Sequence, residues 1–114
     1  MDTYKEFYKI LDAQSMGASF VSAQFSVLQF KHYSIQFKHT GSPAGSVKVQ
    51  ISNDEMGISA EDTIWDDYTD SVTAIAAAGS IYLNFRQVAH GKIRVVYTYS
   101  SGSGSMTVKL IGKS

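Results

Sequence analysis

Along most of this chain, apolar and polar residues take turns with a period of two, the pattern of a strand with one buried face. In residues 32–40, Tyr33, Ile35, Phe37 and His39 fall on one side and Ser34, Gln36, Lys38 and Thr40 on the other. Val47, Val49 and Ile51 alternate with Lys48, Gln50 and Ser52, and Ile81, Leu83 and Phe85 with Tyr82, Asn84 and Arg86. Ile93, Val95, Tyr97 and Tyr99 alternate with Lys92, Arg94, Val96 and Thr98, and Met106, Val108 and Leu110 with Thr107 and Lys109. β-Branched and aromatic residues crowd these five segments, as pleated, half-buried surfaces require. Weaker strands are expected at 20–30, 63–68 and 71–75.

Turn chemistry separates the segments: Gly41-Ser42-Pro43-Ala44-Gly45, Asn53-Asp54-Glu55-Met56-Gly57, Ala78-Gly79, His90-Gly91 and the Ser/Gly run 100–105. That run joins two strong strands and so reads as a hairpin loop. About eight short strands, each with one apolar face, predict an all-β fold: a two-sheet antiparallel β-sandwich of jelly-roll-like form. The N-terminus breaks the pattern. Tyr4, Phe7, Tyr8 and Leu11 stand at i, i+3, i+4 and i+7, the stripe of a short amphipathic helix, with Asp2 placed to cap it. A helix this short is marginal alone, so it must either cover an end of its own sandwich or pack as an arm on a neighbouring subunit. The expected organisation is an N-terminal arm or short helix over 1–18 and a sandwich domain over 19–114.

At 114 residues there is room for one core only. The chain has no cysteine, which removes disulfides, thiolate metal sites and cysteine nucleophiles. No apolar run approaches the roughly 18 residues of a membrane span. The acidic N-terminus, with Asp2 and Glu6, does not resemble a secretory signal, so folding in a cytoplasm is expected. A net charge of zero disfavours nucleic acid as the main partner, since that binding is driven by phosphate neutralisation. The charges are nevertheless segregated. Seven of the ten acids lie between 54 and 70: Asp54, Glu55, Glu61, Asp62, Asp66, Asp67 and Asp70. Residues 13–53 and 71–114 contain no acid and carry three and five positive charges respectively.

Catalytic patterns are not apparent. His32, His39 and His90 lack the i+2 or i+4 companions that make a metal site legible. No serine stands in a strand-to-helix elbow, and no glycine loop leads into Lys-Ser/Thr. No enzyme activity and no cofactor are therefore expected. The acidic stretch has three readings: a solvated edge, a complement to a basic surface on a partner or another copy, or a calcium loop. The last is weakened because 53–57 lacks the alternating-oxygen spacing of a compact calcium site. Positive side chains on outward parities, Lys38, Lys48, Arg86, Lys92, Arg94 and Lys109, provide a surface that another copy's acids could meet. Trp65 is read first as a core anchor, then as an interface anchor or a sugar-stacking platform. Tyr4, Phe7, Tyr8, Leu11, Tyr82, Arg86, Lys92 and Arg94 are the candidate interface residues, tyrosine and arginine being enriched at interfaces.

The series Tyr33-Ser34-Ile35-Gln36, Thr40 to Asp54, Trp65-Asp66-Asp67, Ala78-Gly79, Ile93 to Thr98, Ser101 to Gly104 and Ile111-Gly112-Lys113 resembles small β-sandwich structural proteins of tailed bacteriophages and prophages. The resemblance spans about residues 20–114 and rests on turn and strand signatures. It implies a virion component without catalytic residues, assembled in the host cytoplasm. The first expectation is a capsid decoration protein, a homo-oligomer such as a trimer, bridging subunits of the major capsid protein. The alternatives are a tail, baseplate or fibre-associated receptor-binding module in contact with tail proteins, and a carbohydrate-binding or calcium-dependent adhesion module. Neither nucleic acid nor membrane is an expected partner.

Overall fold

The computed structural model describes residues 5–68, 71–85 and 90–113. Within them the chain forms β1 (Lys5–Ser15), β2 (Phe20–Val21), β3 (Phe25–Ser26), β4 (His32–Gly41), β5 (Ala44–Ser52), β6 (Asp66–Asp67), β7 (Thr73–Ile75), β8 (Gly79–Phe85), β9 (Lys92–Ser101) and β10 (Gly104–Lys113). Every pairing is antiparallel. One sheet, here sheet A, has the order β1-β10-β4-β8. In sheet B, β9 and β5 form the centre, with β2 and β3 beside β9 and β6 and β7 beside β5. The expected all-β, two-sheet antiparallel sandwich is the observed fold, with ten strands where about eight were counted. The weak segments 20–30 and 63–68 contribute only two-residue pairings, and 71–75 a three-residue one.

The alternation decides which side chains meet between the sheets. Tyr33, Ile35 and Phe37 of β4, Val47 and Val49 of β5, Ile93, Val95 and Tyr97 of β9, and Met106, Val108 and Leu110 of β10 are all at most 2% exposed. Two buried hydroxyls extend the ladders where strands are broken. Ser71 Oγ accepts from the Val49 amide and Ser22 Oγ from the Val95 amide, each at 2.8 Å, so that neither buried N–H is orphaned. The 100–105 run is not the expected hairpin: it carries the chain from β9 in sheet B to β10 in sheet A, and these two strands lie in different sheets. Gly102 stands at φ 80° and its backbone lies against the Ser42 carbonyl, so a side chain there would be both strained and obstructed.

The N-terminal helix is not formed. Residues 5–15 are a strand on the edge of sheet A, paired along β10; Tyr4 lies outside the described residues. Phe7 is 73% exposed, while Tyr8, Ile10 and Leu11 pack against the core. The helical stripe came from a strand with an irregularity. A register shift between Lys9 and Leu11 breaks the two-residue period, so that consecutive Ile10 and Leu11 both reach the core. The tertiary gain is specific: Tyr8 meets the Phe25 ring edge-on at 5.1 Å and lies 5.9 Å from Phe30. The segment read as either a cover for its own sandwich or an arm on a neighbour is, over residues 5–15, a wall of its own sandwich.

Removing residues 1–12 should accordingly damage the fold, by stripping Tyr8, Ile10 and Leu11 from the core and leaving β10 as a bare edge. Tyr8→Ala alone should cost about 2–3 kcal/mol, since large-to-small changes at packed aromatics cost this much or more. Chemical denaturation of both variants checks this; unchanged midpoints would show that β1 is dispensable.

Candidate interaction surface

Alternation that sends apolar residues inward leaves the other parity to form two outer faces, and these differ in charge. On sheet A the register aligns Phe7 of β1, Ile111 of β10, Ser34 of β4 and Asn84 of β8 in one row, and Lys9, Lys109, Gln36 and Tyr82 in the next. Phe7 at 73%, Tyr82 at 62% and Ile111 at 42% are exposed apolar groups in this pleat. They border a shallow groove of about 420 Å³ together with His32, Ser34 and Asn84. Lys9, Lys38, Lys109 and Lys113 are exposed around them. Among the described residues only Lys9 of these four has an acidic partner, Asp12 at 3.6 Å, in an exposed pair that adds little stability.

The outer side of sheet B carries the acids. Asp67 accepts from Gln50 and from Lys48 Nζ, each at 2.9 Å, and these hydrogen bonds hold its carboxyl below the usual carboxylate range. Asp54 Oδ2 accepts from the Ile64 amide at 2.7 Å, and Asp62 accepts from Ser59 Oγ. Glu55, Glu61 and Asp66 are exposed and form no ion pair among the described residues. Asp70 lies outside the described residues. No group of three acids or histidines is placed to hold a metal ion among those described.

Lys92 corrects an expectation. It has the outward parity that suggested an interface residue, yet it is 0% exposed. Loop 53–65 folds over the start of β9 and encloses its ammonium. Lys92 Nζ reaches Thr63 Oγ1 at 2.7 Å, the Glu55 carbonyl at 3.0 Å, the Ile58 carbonyl at 3.1 Å and the Gln24 side-chain oxygen. Four neutral oxygens share three N–H donors, so the loop wraps the charge in dipoles without a carboxylate. Trp65 closes the outside. Its ring lies 5.5 Å from Lys92 Nζ and 4.4 Å from the Arg94 guanidinium, and its indole N–H donates to the Ala60 carbonyl at 3.2 Å. Trp65 is therefore neither a core anchor between the sheets nor a free platform; it is a half-buried clamp on the acidic loop. Arg94 is also committed, donating to Gln50 Oε1 at 2.7 Å.

Of the candidate interface residues, the structure gathers Phe7 and Tyr82 on one face, sends Tyr8 and Leu11 to the core, and spends Lys92 and Arg94 on the loop. Arg86 lies outside the described residues. Ile111 was missed, although the parity of Met106, Val108 and Leu110 marks it as an outward apolar residue. Gln24 and Thr63, which hold Lys92, gave no signal because they act across 68 and 29 positions of sequence.

No family model matches the chain, and no curated protein does. Its fold is similar to several solved structures. The crystal structure of SPBc2 prophage-derived protein YomS aligns with a TM-score of 0.65 at 17% identity, over 100% of this chain and 96% of that one. The infectious bursal disease virus VP2 subviral particle gives 0.54 at 12% identity, with 97% of this chain spanning 32% of that one. PirA gives 0.52 at 12% identity over 97% and 94%. The sandwich is shared with a prophage-derived protein and with the VP2 subviral particle of a virus. At these identities the likeness is one of fold.

Replacing Lys92 by methionine should strand the oxygens that surround it. At about 1–3 kcal/mol for a buried polar group left unpaired, the expected loss is about 2–4 kcal/mol, with faster hydrogen exchange concentrated in 53–65. Uniform protection through that loop in the variant would refute the role given to Lys92.

His90 provides a pH signature. Its Nε2 is hydrogen-bonded to the Tyr33 hydroxyl, its ring meets Phe85 and Tyr33 edge-on, and burial lowers its pKa from the ordinary value. Tyr33, pushed up by its own burial and by Tyr68, stays protonated and serves as the donor. A base with a depressed folded pKa binds its proton more readily in the unfolded chain. Its stabilising contribution is complete above about 6.5 and is lost as pH falls through that value toward the folded pKa. The denaturation midpoint should fall between pH 7 and 5, and less steeply in His90→Phe; parallel pH profiles would contradict the assignment.

Proposed function

We propose that this chain is a structural component of a bacteriophage virion, specifically a capsid decoration protein that bridges neighbouring subunits of the major capsid protein. The observation that carries the reading is the outer face of sheet A: Phe7, Tyr82 and Ile111 exposed in one pleat and ringed by lysines. Exposed apolar surface with a charged border marks a docking face for a macromolecule. The sandwich shared with a prophage-derived protein over nearly the whole of both chains supports a phage origin. The likeness to the VP2 subviral particle agrees with a place in a shell.

In this reading the protein works mechanically and catalyses nothing. A rigid slab lays its apolar face across neighbouring subunits and raises the cost of separating them. Each contact can be modest, because linked copies gain through effective concentration. The lysines steer the slab to an acidic surface and fix its register. Its location is the virion, and it acts as a homo-oligomer.

Particles produced from the genome that encodes the chain test this directly. Quantitative mass spectrometry of purified particles should find it in numbers comparable to the major shell protein. A strongly sub-stoichiometric count would favour a tail component instead, and absence from particles would reject both. Phe7→Asp combined with Lys109→Glu, both at exposed positions, should leave the unfolding free energy within about 0.5 kcal/mol of the parent and deplete the protein from particles.

A further inference from the structure

A sandwich of two open sheets has four lateral edges, and unpaired edges invite pairing with another chain unless something guards them. Three edges here are guarded. β1 carries Glu6, Lys9 and Asp12, has two register shifts, and contains Ala13 at φ 51°. On sheet B the edges are made of fragments: β2, β3 and β6 have two residues each and β7 has three. Fragments that short offer little to pair with.

The fourth edge, β8, has none of these defences. Gly79-Ser80-Ile81-Tyr82-Leu83-Asn84-Phe85 contains no charge and no proline, and it runs beside β4 in unbroken register from Tyr33↔Phe85 to His39↔Gly79. Among the described residues, no hydrogen bond reaches the side of β8 that faces away from β4. Its inward side chains are also incompletely covered. Ile81 and Leu83 remain only partly buried, whereas Ile35 and Phe37, their partners on β4, are 0% exposed. Both the backbone and the apolar row of β8 stop short of being finished.

We propose that β8 is a strand-pairing interface whose occupant is β8 of a second copy, joined antiparallel about a twofold axis at Tyr82. The strand is self-complementary in that register. Gly79 falls opposite Phe85, Ser80 opposite Asn84 and Ile81 opposite Leu83, each from the other copy, with Tyr82 opposite Tyr82. Inward Ile81, Leu83 and Phe85 thus meet apolar or glycine partners, outward Ser80 and Asn84 meet each other, and Tyr82 stacks beside its own copy. With no charge on the strand, no like charges meet across the axis, which lysine-bearing β1 could not offer. The two four-stranded A sheets become one continuous sheet of eight, a closed isologous dimer that leaves no free β8 edge. The pairing specifies how copies of the proposed shell component join, as a dyad in place of a trimer. It rests on that reading only for its role in a particle.

The chain lacks cysteine, so a single introduced thiol reports on the pairing alone. Tyr82→Cys brings two thiols face to face across the axis, at the spacing of directly opposed residues. Under mild oxidation of the purified protein it should form a covalent dimer at least about tenfold faster than Lys38→Cys, whose thiol is also on the exposed face but held one strand back from the edge. The parent chain should sediment at twice its 12.5 kDa mass. Tyr82→Lys, which places two ammonium groups across the axis, should sediment as a monomer with an unchanged circular-dichroism spectrum. A monomeric or trimeric parent, equal cross-linking rates, or a dimer that survives Tyr82→Lys would each overturn the proposal. Because the assay uses free protein, its failure leaves the particle copy number untouched, and absence from particles leaves the dimer untouched.

Discussion

Packing between the inner faces of the two sheets determines what the rest of the molecule can be. Ile35, Phe37, Val108 and Leu110 from one sheet and Val49, Val95 and Tyr97 from the other are withdrawn from water almost completely. In a chain this size that layer is the centre of the one core available for folding. Spending one parity of every long strand on the core leaves the opposite parity outside it, where only some residues, such as Lys92 and Arg94, carry structural duty. The outer faces and lateral edges are therefore where this sequence can encode recognition. Among the apolar groups that remain outside, Phe7, Tyr82 and Ile111 are the ones that share the outer face of sheet A.

The charge distribution divides along the same line. Lysines ring the outer face of sheet A, while the acids sit on the outer side of sheet B and on the loop that covers it. The loop is held from beneath by Lys92, a buried ammonium solvated by two backbone carbonyls, Thr63 and Gln24. This fixed cation does for the acidic loop what a bound metal does in other loop-rich sites. It gathers oxygens from distant parts of the chain around one charge, and Trp65 shields the result.

Where strand period alone determined side-chain placement, the structure was legible in the sequence. Residues 32–40 and 106–110 bury the residues that their parity assigned, and Tyr82 emerges on the side where it was expected. The N-terminus misled because a bulge breaks the period at Lys9–Leu11, and a two-residue pattern with one slip is indistinguishable from a helical stripe over eight residues. Lys92 misled for a different reason. Parity says which side of a sheet a residue occupies, but not whether a loop from elsewhere lies on that side. The contacts to Gln24, Glu55, Ile58 and Thr63 are tertiary and leave no local trace. Edge order is likewise invisible to periodicity, so the exposed flank of β8 emerges only once sheet A is assembled.

The proposed function has this slab act through contact. An image reconstruction of the assembled particle, with this chain traced in it, tests that conclusion most directly. The account predicts the outer face of sheet A, with Phe7 and Ile111, seated against a neighbouring protein, and the acidic loop pointing away from that contact. A traced chain whose sheet A face is open to solvent while another surface makes the contact would contradict it.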